Sequence, residues 1–229
     1  RRKERPQQYV NGFQGYIHAD AYQGYDELFQ RPGVIEVGCW SHARRRFDEA
    51  LLSRPQEAGE VLGHIRGLYQ VEAEVRGRPP EERRQGREQR SRPLLARLFP
   101  RLEELRAATV PSEPLRSAID YALHQRQSLQ RYLEDGRLEA DNNTAENAIR
   151  PLTLGRRNWL FAGSERGGHA TALYLGLLRS CEACEVNPWA YFDDVLRRIQ
   201  SHPMRRLREL LPDQWQPAPR DARGLRLSA

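Results

Sequence analysis

Lysine is almost missing from this chain. Lys3 is the only one in 229 residues, so all but one of the 37 basic side chains are arginine. Arginine offers paired donors to phosphate and a plane that stacks on aromatic rings, although a compositional bias in the coding DNA would give the same count. Cysteine is also scarce. Cys39, Cys181 and Cys184 form an odd set with no secreted disulfide framework, which fits a reducing compartment. Cys181 and Cys184 make a CxxC, but no second cysteine pair or histidine pair stands at zinc spacing, so both are expected as core thiols of a helix, LYLGLLRSCEACEV. No run of about 18 apolar residues occurs and no basic-then-apolar leader precedes the first element, which argues for a soluble, cytoplasmic protein without a membrane span. The chain opens on Arg1, in the polar run RRKERPQQ, and reads as a piece of something longer.

What is present is polar and basic. Hydrophobic residues make up 38% and charged residues 30%, with a formal charge of +6 and a pI near 9.5. This length can bury a real core in one medium domain, or in one domain plus an appendage. The charge favours an acidic partner such as nucleic acid without establishing one.

GFQGYIHAD predicts a strand with Tyr16, His18 and Asp20 on one face, Asp20 standing at its C-terminal tip. A turn and a short helix follow in AYQGYDELFQRPG, then a second strand over 34–40 and a helix in SHARRRFDEALL. That order points to an α/β sheet with a parallel pair, in which function gathers at the carboxyl ends of strands. From 55 to 136 the pattern is helix after helix. Apolar stripes run through Val61, Ile65, Leu68 and Tyr69, through Leu95, Leu98 and Leu102, and through Leu115, Ile119 and Ala122. Between the first two lies RGRPPEERRQGREQRSRP, which predicts a solvated linker or polar helix. Two more helices fit residues 169–200, and the last residues, from 213, have the composition of a disordered tail.

The block DNNTAENAIRPLTLGRRNWLFAGS, residues 141–164, carries the most chemistry. With a helix starting near Asn142, residues Asn142, Glu146 and Arg150 share one face, while Ala145, Ala148, Ile149 and Leu152 form an apolar one. Asp141 or Asn142 can cap the helix, and Pro151 predicts that it is short. Glu146 followed by Arg156, Arg157 and the aromatic pair Trp159 and Phe161 suits a metal and a phosphate. The same spacing also describes an ordinary solvated helix with a Glu146–Arg150 pair.

Taken together, GYIHADAYQGYDELF, GCWSHARRRF and DNNTAENAIRPLTLGRRNWLFAGSERGG resemble the DDE-type transposases of the insertion-sequence 66 family. SCEACEVNPWAYFDDVLRRI is similar to that family's small C-terminal segment, and the likeness covers about residues 8–212 in order. The resemblance implies an RNase H-like catalytic domain over 1–165, interrupted by a helical insertion at about 55–136. A C-terminal helical segment over 166–212 and a disordered tail over 213–229 would follow.

It further implies that Asp20 is the second aspartate of the catalytic triad and Glu146 its glutamate. Such carboxylates hold two Mg²⁺ ions roughly 3.5–4 Å apart for DNA cleavage and strand transfer. Candidate DNA contacts on this pattern are Asn142, Asn143, Arg150, Arg156, Arg157, Trp159 and His42. Arg45 joins them from a run, Arg44 to Arg46, that cannot present all three side chains to one surface. The implied partners are transposon-end and target DNA, with a homodimer in a synaptic complex.

In the family the first aspartate lies well upstream of the second, but none of the nineteen residues before Asp20 is an aspartate. The fold is therefore expected to be incomplete at its N-terminus and the site one ligand short. Two readings stay open: a truncated piece of an active transposase, or an inactive remnant that binds only DNA or a partner subunit.

Overall fold

The computed structural model describes residues 10–159 and 163–217. The polar run at 1–8, Phe161 and the tail from 218 lie outside the described residues. Strands β1 (Gly15–His18) and β2 (Val34–Val37) pair in parallel, Gly15 beside Val34 and His18 beside Val37. A 3₁₀ turn (Gln23–Tyr25) and helix α1 (Asp26–Phe29) connect them. Among the described residues this is the one sheet in a mainly helical chain, so the α/β expectation holds in a helix-dominated form.

β2 stops at Val37, three residues before the sequence predicts. At Gly38 a Cβ would lie 3.0 Å from the Leu129 backbone nitrogen, and the Gly38 N–H donates to the Ser128 carbonyl at 2.8 Å. This close crossing draws the chain off the sheet. Cys39 becomes an extended helix cap and Trp40 the first residue of α2 (Trp40–Ala50).

Helices α3 (Pro55–Val75), α4 (Pro80–Ala108), α5 (Pro114–His124) and α6 (Arg126–Gln130) follow, and a 3₁₀ turn (Arg131–Leu133) ends the series. The first three of these open on proline, whose missing N–H costs nothing in the first turn and whose fixed φ suits it. Their apolar stripes meet. Trp40, Phe47, Ile65, Leu68, Leu95, Leu98, Phe99, Leu102, Leu115 and Ile119 form one buried core. Trp40 satisfies its indole by donating to the Leu129 carbonyl at 2.9 Å.

The charged stretch before Leu94 is neither linker nor wholly solvated. From Pro80 on it is the polar helix that the sequence allowed, the first half of the 29-residue α4, and Arg87 within it is completely buried. The physical reason is pairing: Glu72 on α3 takes the guanidinium through both carboxylate oxygens, at 2.8 and 2.7 Å, which removes most of the penalty of burying the charge.

The chain divides into two compact units, Arg1–Ala145 and Glu146–Ala229, and the division falls inside α7 (Asn143–Trp159). The second unit continues with α8 (Glu165–Ala183), α9 (Pro188–Arg198) and a 3₁₀ helix (Met204–Leu210). Ser164 and Asn187 cap α8 and α9 by accepting the N–H groups of Gly167 and Ala190. Cys181, Tyr191, Val195 and Leu210 make a small core. Of the two thiols expected in a core, Cys181 is buried but Cys184 is exposed, because the helix has ended and residue 184 is its cap.

The segment just past 212 is not loose either. Trp215 packs on Tyr191 with ring centres 5.7 Å apart and donates to the buried Asp194 carboxylate at 2.7 Å. No helix among the described residues is long and apolar enough to cross a membrane.

Candidate functional site

Asp20 follows β1 by two residues. The Ala19 N–H reaches back to the Val37 carbonyl at 3.0 Å, so strand pairing extends to the residue before the aspartate. Asp20 itself is exposed. Its Oδ1 accepts the Tyr22 N–H at 3.3 Å, closing a tight turn in which Ala21 takes a φ of 60°. Side chains other than glycine pay to enter that left-handed region, so the turn is held there by its surroundings.

Ala140 and the first residues of the DNN block are fixed to the same unit by three bonds. The Ala140 carbonyl accepts the Trp40 N–H at 3.0 Å, and the Asn142 N–H donates to Cys39 Sγ at 3.3 Å. The Tyr69 hydroxyl donates to Asp141 Oδ2 at 2.9 Å. Burial, with the Asp141 carboxylate second, pushes the Tyr69 phenol far above its ordinary value. Burial also raises the Cys39 thiol, against the backbone N–H groups of Asn142, His42 and Ser41, which favour the thiolate. His18, on β1, is held below the usual imidazole range by burial, partly offset by Asp141 and Glu139.

Asp141, one of the two caps that the sequence offered, stands two residues before α7 and accepts the N–H of its first residue. Its Oδ1 accepts the Asn143 N–H at 3.0 Å and its Oδ2 the Asn143 side-chain amide at 2.8 Å, besides Tyr69. Both oxygens are therefore engaged by hydrogen bonds at the start of α7. Asn142 and Asn143 contribute to the same turn.

The helix they start is longer than predicted. α7 runs 17 residues and passes through Pro151. Proline removes the N–H that would serve the carbonyl four residues earlier, at Asn147. Here the Arg179 guanidinium from α8 serves it instead, donating to the Asn147 carbonyl at 3.2 Å and to the Ala148 carbonyl at 3.1 Å. Glu146 lies in the first turn of α7 and is half-exposed, while Ile149, on the expected apolar face, is exposed.

The structure thus sets Asp20 in the first unit, and Glu146 opens the second. The proposed DNA contacts are spread over both. His42 is half-buried in the first turn of α2. Arg44 pairs with Asp48 at 3.4 Å and Arg46 lies 4.3 Å over the Tyr121 ring, while Arg45 is exposed with neither kind of contact among the described residues. Arg150 is exposed on α7. Arg156, Arg157 and Trp159 belong to the helical backbone of α7, and their side chains lie outside the described set.

Sequence reasoning took Tyr69 only as part of an apolar stripe and gave no role to Glu72 or Arg87. A signal existed for the tyrosine, since a buried phenol needs a partner for its hydroxyl.

Comparison with known proteins gives the family. The family model described as the IS66 family of transposases matches residues 1–170, and that of the IS66 C-terminal element matches residues 177–212. Similar proteins include three uncharacterized proteins of Sinorhizobium fredii (strain NBRC 101917 / NGR234). The chain is 34% identical to y4hP over 95% of its own length and 43% of that protein. It is 35% identical to y4qI over 91% and 40%, and 33% identical to y4jD over 89% and 42%. The chain therefore spans about two fifths of the length of these relatives. No solved structure matches it.

Proposed function

The chain belongs to the IS66 transposase family, and from that premise we propose that it carries two of the three carboxylates of a DDE-type site for DNA transposition, Asp20 and Glu146. The observation that carries the reading is Asp20, an exposed carboxylate just past the paired end of a parallel strand. The donor set suits a hard divalent cation. Asp20 and Glu146 are oxygen donors open to water, and Mg²⁺ binds through one or two carboxylates while keeping several waters. When bound, the cation supplies Lewis-acid activation of the attacking oxygen and neutralises charge at the phosphate. The chain's own residues do the rest. Arg45 and Arg150, both exposed, meet DNA phosphates, joined by Arg156, Arg157 and Trp159 further along α7 and by His42 in the first turn of α2. A homodimer at two transposon ends is the assembly this chemistry asks for.

The proposed architecture is an RNase H-like core with α3 to α6 as its insertion, a C-terminal element over 166–212, and further strands and the first aspartate supplied by a longer protein. Two features support it. The outer side of β2 is closed by the Gly38–Ser128 bond and by Arg131, which donates to the Glu36 carbonyl at 3.2 Å. On β1 it is Gly15 and Ala19 whose N–H groups turn toward β2, so those of Tyr16 and His18 face the other way, where a neighbouring strand would pair. By the family pattern no nearby acid stands at the third position. Asp141 is engaged through both oxygens, Asp48 pairs with Arg44, and Glu36 is half-buried with its carboxyl pushed up mainly by burial.

That shortfall keeps a second reading in view, a remnant that binds DNA or a partner subunit without cutting. The test is a strand-transfer assay of this chain on transposon-end DNA with Mg²⁺. The expected outcome is DNA binding without strand transfer. Robust cleavage that disappears in Glu146→Ala would overturn the proposed lack of a complete site.

A further inference from the structure

The loop between the last insertion helix and the DNN block is wound around one buried side chain. Arg87, fully buried on α4, is neutralised by Glu72 and still has donors to spare. Its Nη1 reaches the Tyr132 carbonyl at 2.8 Å and the Asp135 carbonyl at 3.2 Å, and its Nη2 reaches the Leu138 carbonyl at 2.8 Å. The guanidinium also lies 5.1 Å from the centre of the Tyr132 ring. One turn earlier on α4, Arg83 donates to Glu139 at 2.9 Å and to the Leu138 carbonyl at 3.4 Å. Gly136 closes the arrangement: a Cβ there would lie 1.7 Å from the Pro80 carbonyl oxygen, so the loop passes backbone to backbone over the start of α4.

We infer that Arg87 is a positioning residue: through Glu72 and the three carbonyls it fixes residues 131–139, and so sets the point from which the helix bearing Glu146 departs. The argument is one of donors and acceptors. Loop carbonyls turned inward need buried donors, and a guanidinium supplies five in a rigid fork. A bidentate carboxylate uses two of them and fixes the plane. The remaining bonds hold Tyr132, Asp135 and Leu138 on one centre. Immediately beyond, Ala140, Asp141 and Asn142 make their contacts with Trp40, Tyr69 and Cys39. The helical insertion thereby acts on the site through its inner face, and a lysine at 87 could not replace the arginine. The consequence for Glu146 rests on the function proposed above; the loop clamp itself does not.

The test replaces the buried pair as a pair, Glu72→Met with Arg87→Met, since exchanging both members for apolar residues leaves no charge stranded. Backbone hydrogen exchange is read at the Trp40 and Asn142 amides, with amides inside α3 and α5 as controls. Exchange at the two reporter amides should rise about tenfold or more while the controls hold, as local opening without global unfolding requires. A uniform rise through α3 and α5 would mean the pair merely stabilises the bundle, and unchanged reporter amides would remove the inference. Arg83→Gln tests the same loop with the Glu72–Arg87 pair left in place, removing the Glu139 and Leu138 contacts together with a longer 3.7 Å approach to Glu72, so unchanged reporters in whichever variant folds count against it. In parallel, Mn²⁺ affinity is measured in the wild-type chain and in Glu146→Gln. If Glu146 has no effect on Mn²⁺, the metal reading fails while the exchange result still decides the clamp.

Discussion

Ala21 holds a left-handed backbone conformation next to Asp20. An alanine pays about 1–2 kcal/mol for that conformation and glycine pays none, though glycine loses more freedom on folding. Ala21→Gly should therefore stabilise the first unit by up to about 1 kcal/mol in urea unfolding, and Ala21→Val should destabilise it. Equal stability in all three chains would show that the turn carries no strain. At this scale the sequence placed Asp20 correctly at a strand tip, because alternation and flanking glycines are local signals. It could not place Arg87, whose partners lie from 15 to 51 residues away on two different segments. Local charge density read as solvation, and only the packing reveals the buried guanidinium. Cys184 failed differently: one residue of helix termination separates a core thiol from an exposed one.

Among the elements, α7 is where local rules and tertiary context part company. Pro151 argued for a short helix, and in isolation that reasoning is sound, since the Asn147 carbonyl loses its donor. Arg179 supplies one from α8, and no local pattern encodes it. The two positions should therefore be coupled. Arg179→Met ought to cost about 0.5–1 kcal/mol of stability in the Pro151 background, because it leaves the carbonyls to water. In Pro151→Ala the cost should shrink, since the new N–H at 151 takes the Asn147 carbonyl. A double-mutant cycle with no coupling would refute the compensation. The apolar stripes of α3, α4 and α5 were legible because a period of 3.6 survives any tertiary arrangement. The end of β2 was not, because it depends on Leu129 crossing at Gly38.

For the whole molecule, a charge of +6 carried almost entirely by arginine predicts backbone-driven DNA binding. The apparent association constant should fall steeply with salt, and removal of Arg45 or Arg150 should lower the slope of log K against log salt by about one each. A flat salt dependence would argue against phosphate contacts by these residues. Family and motif order were legible in the sequence because the motifs are short and contiguous. The division of the chain inside α7, between Ala145 and Glu146, was not, since contact density leaves no mark in composition.

Cys39 adds a consequence of a different kind. Its thiol is wholly covered, with the Asn142 N–H resting on the sulfur, so oxidants and alkylating reagents meet it only while the surrounding structure is open. The chain thus carries a chemical clock beside the start of α7, and the pace at which that thiol is consumed counts how often the fold there breathes.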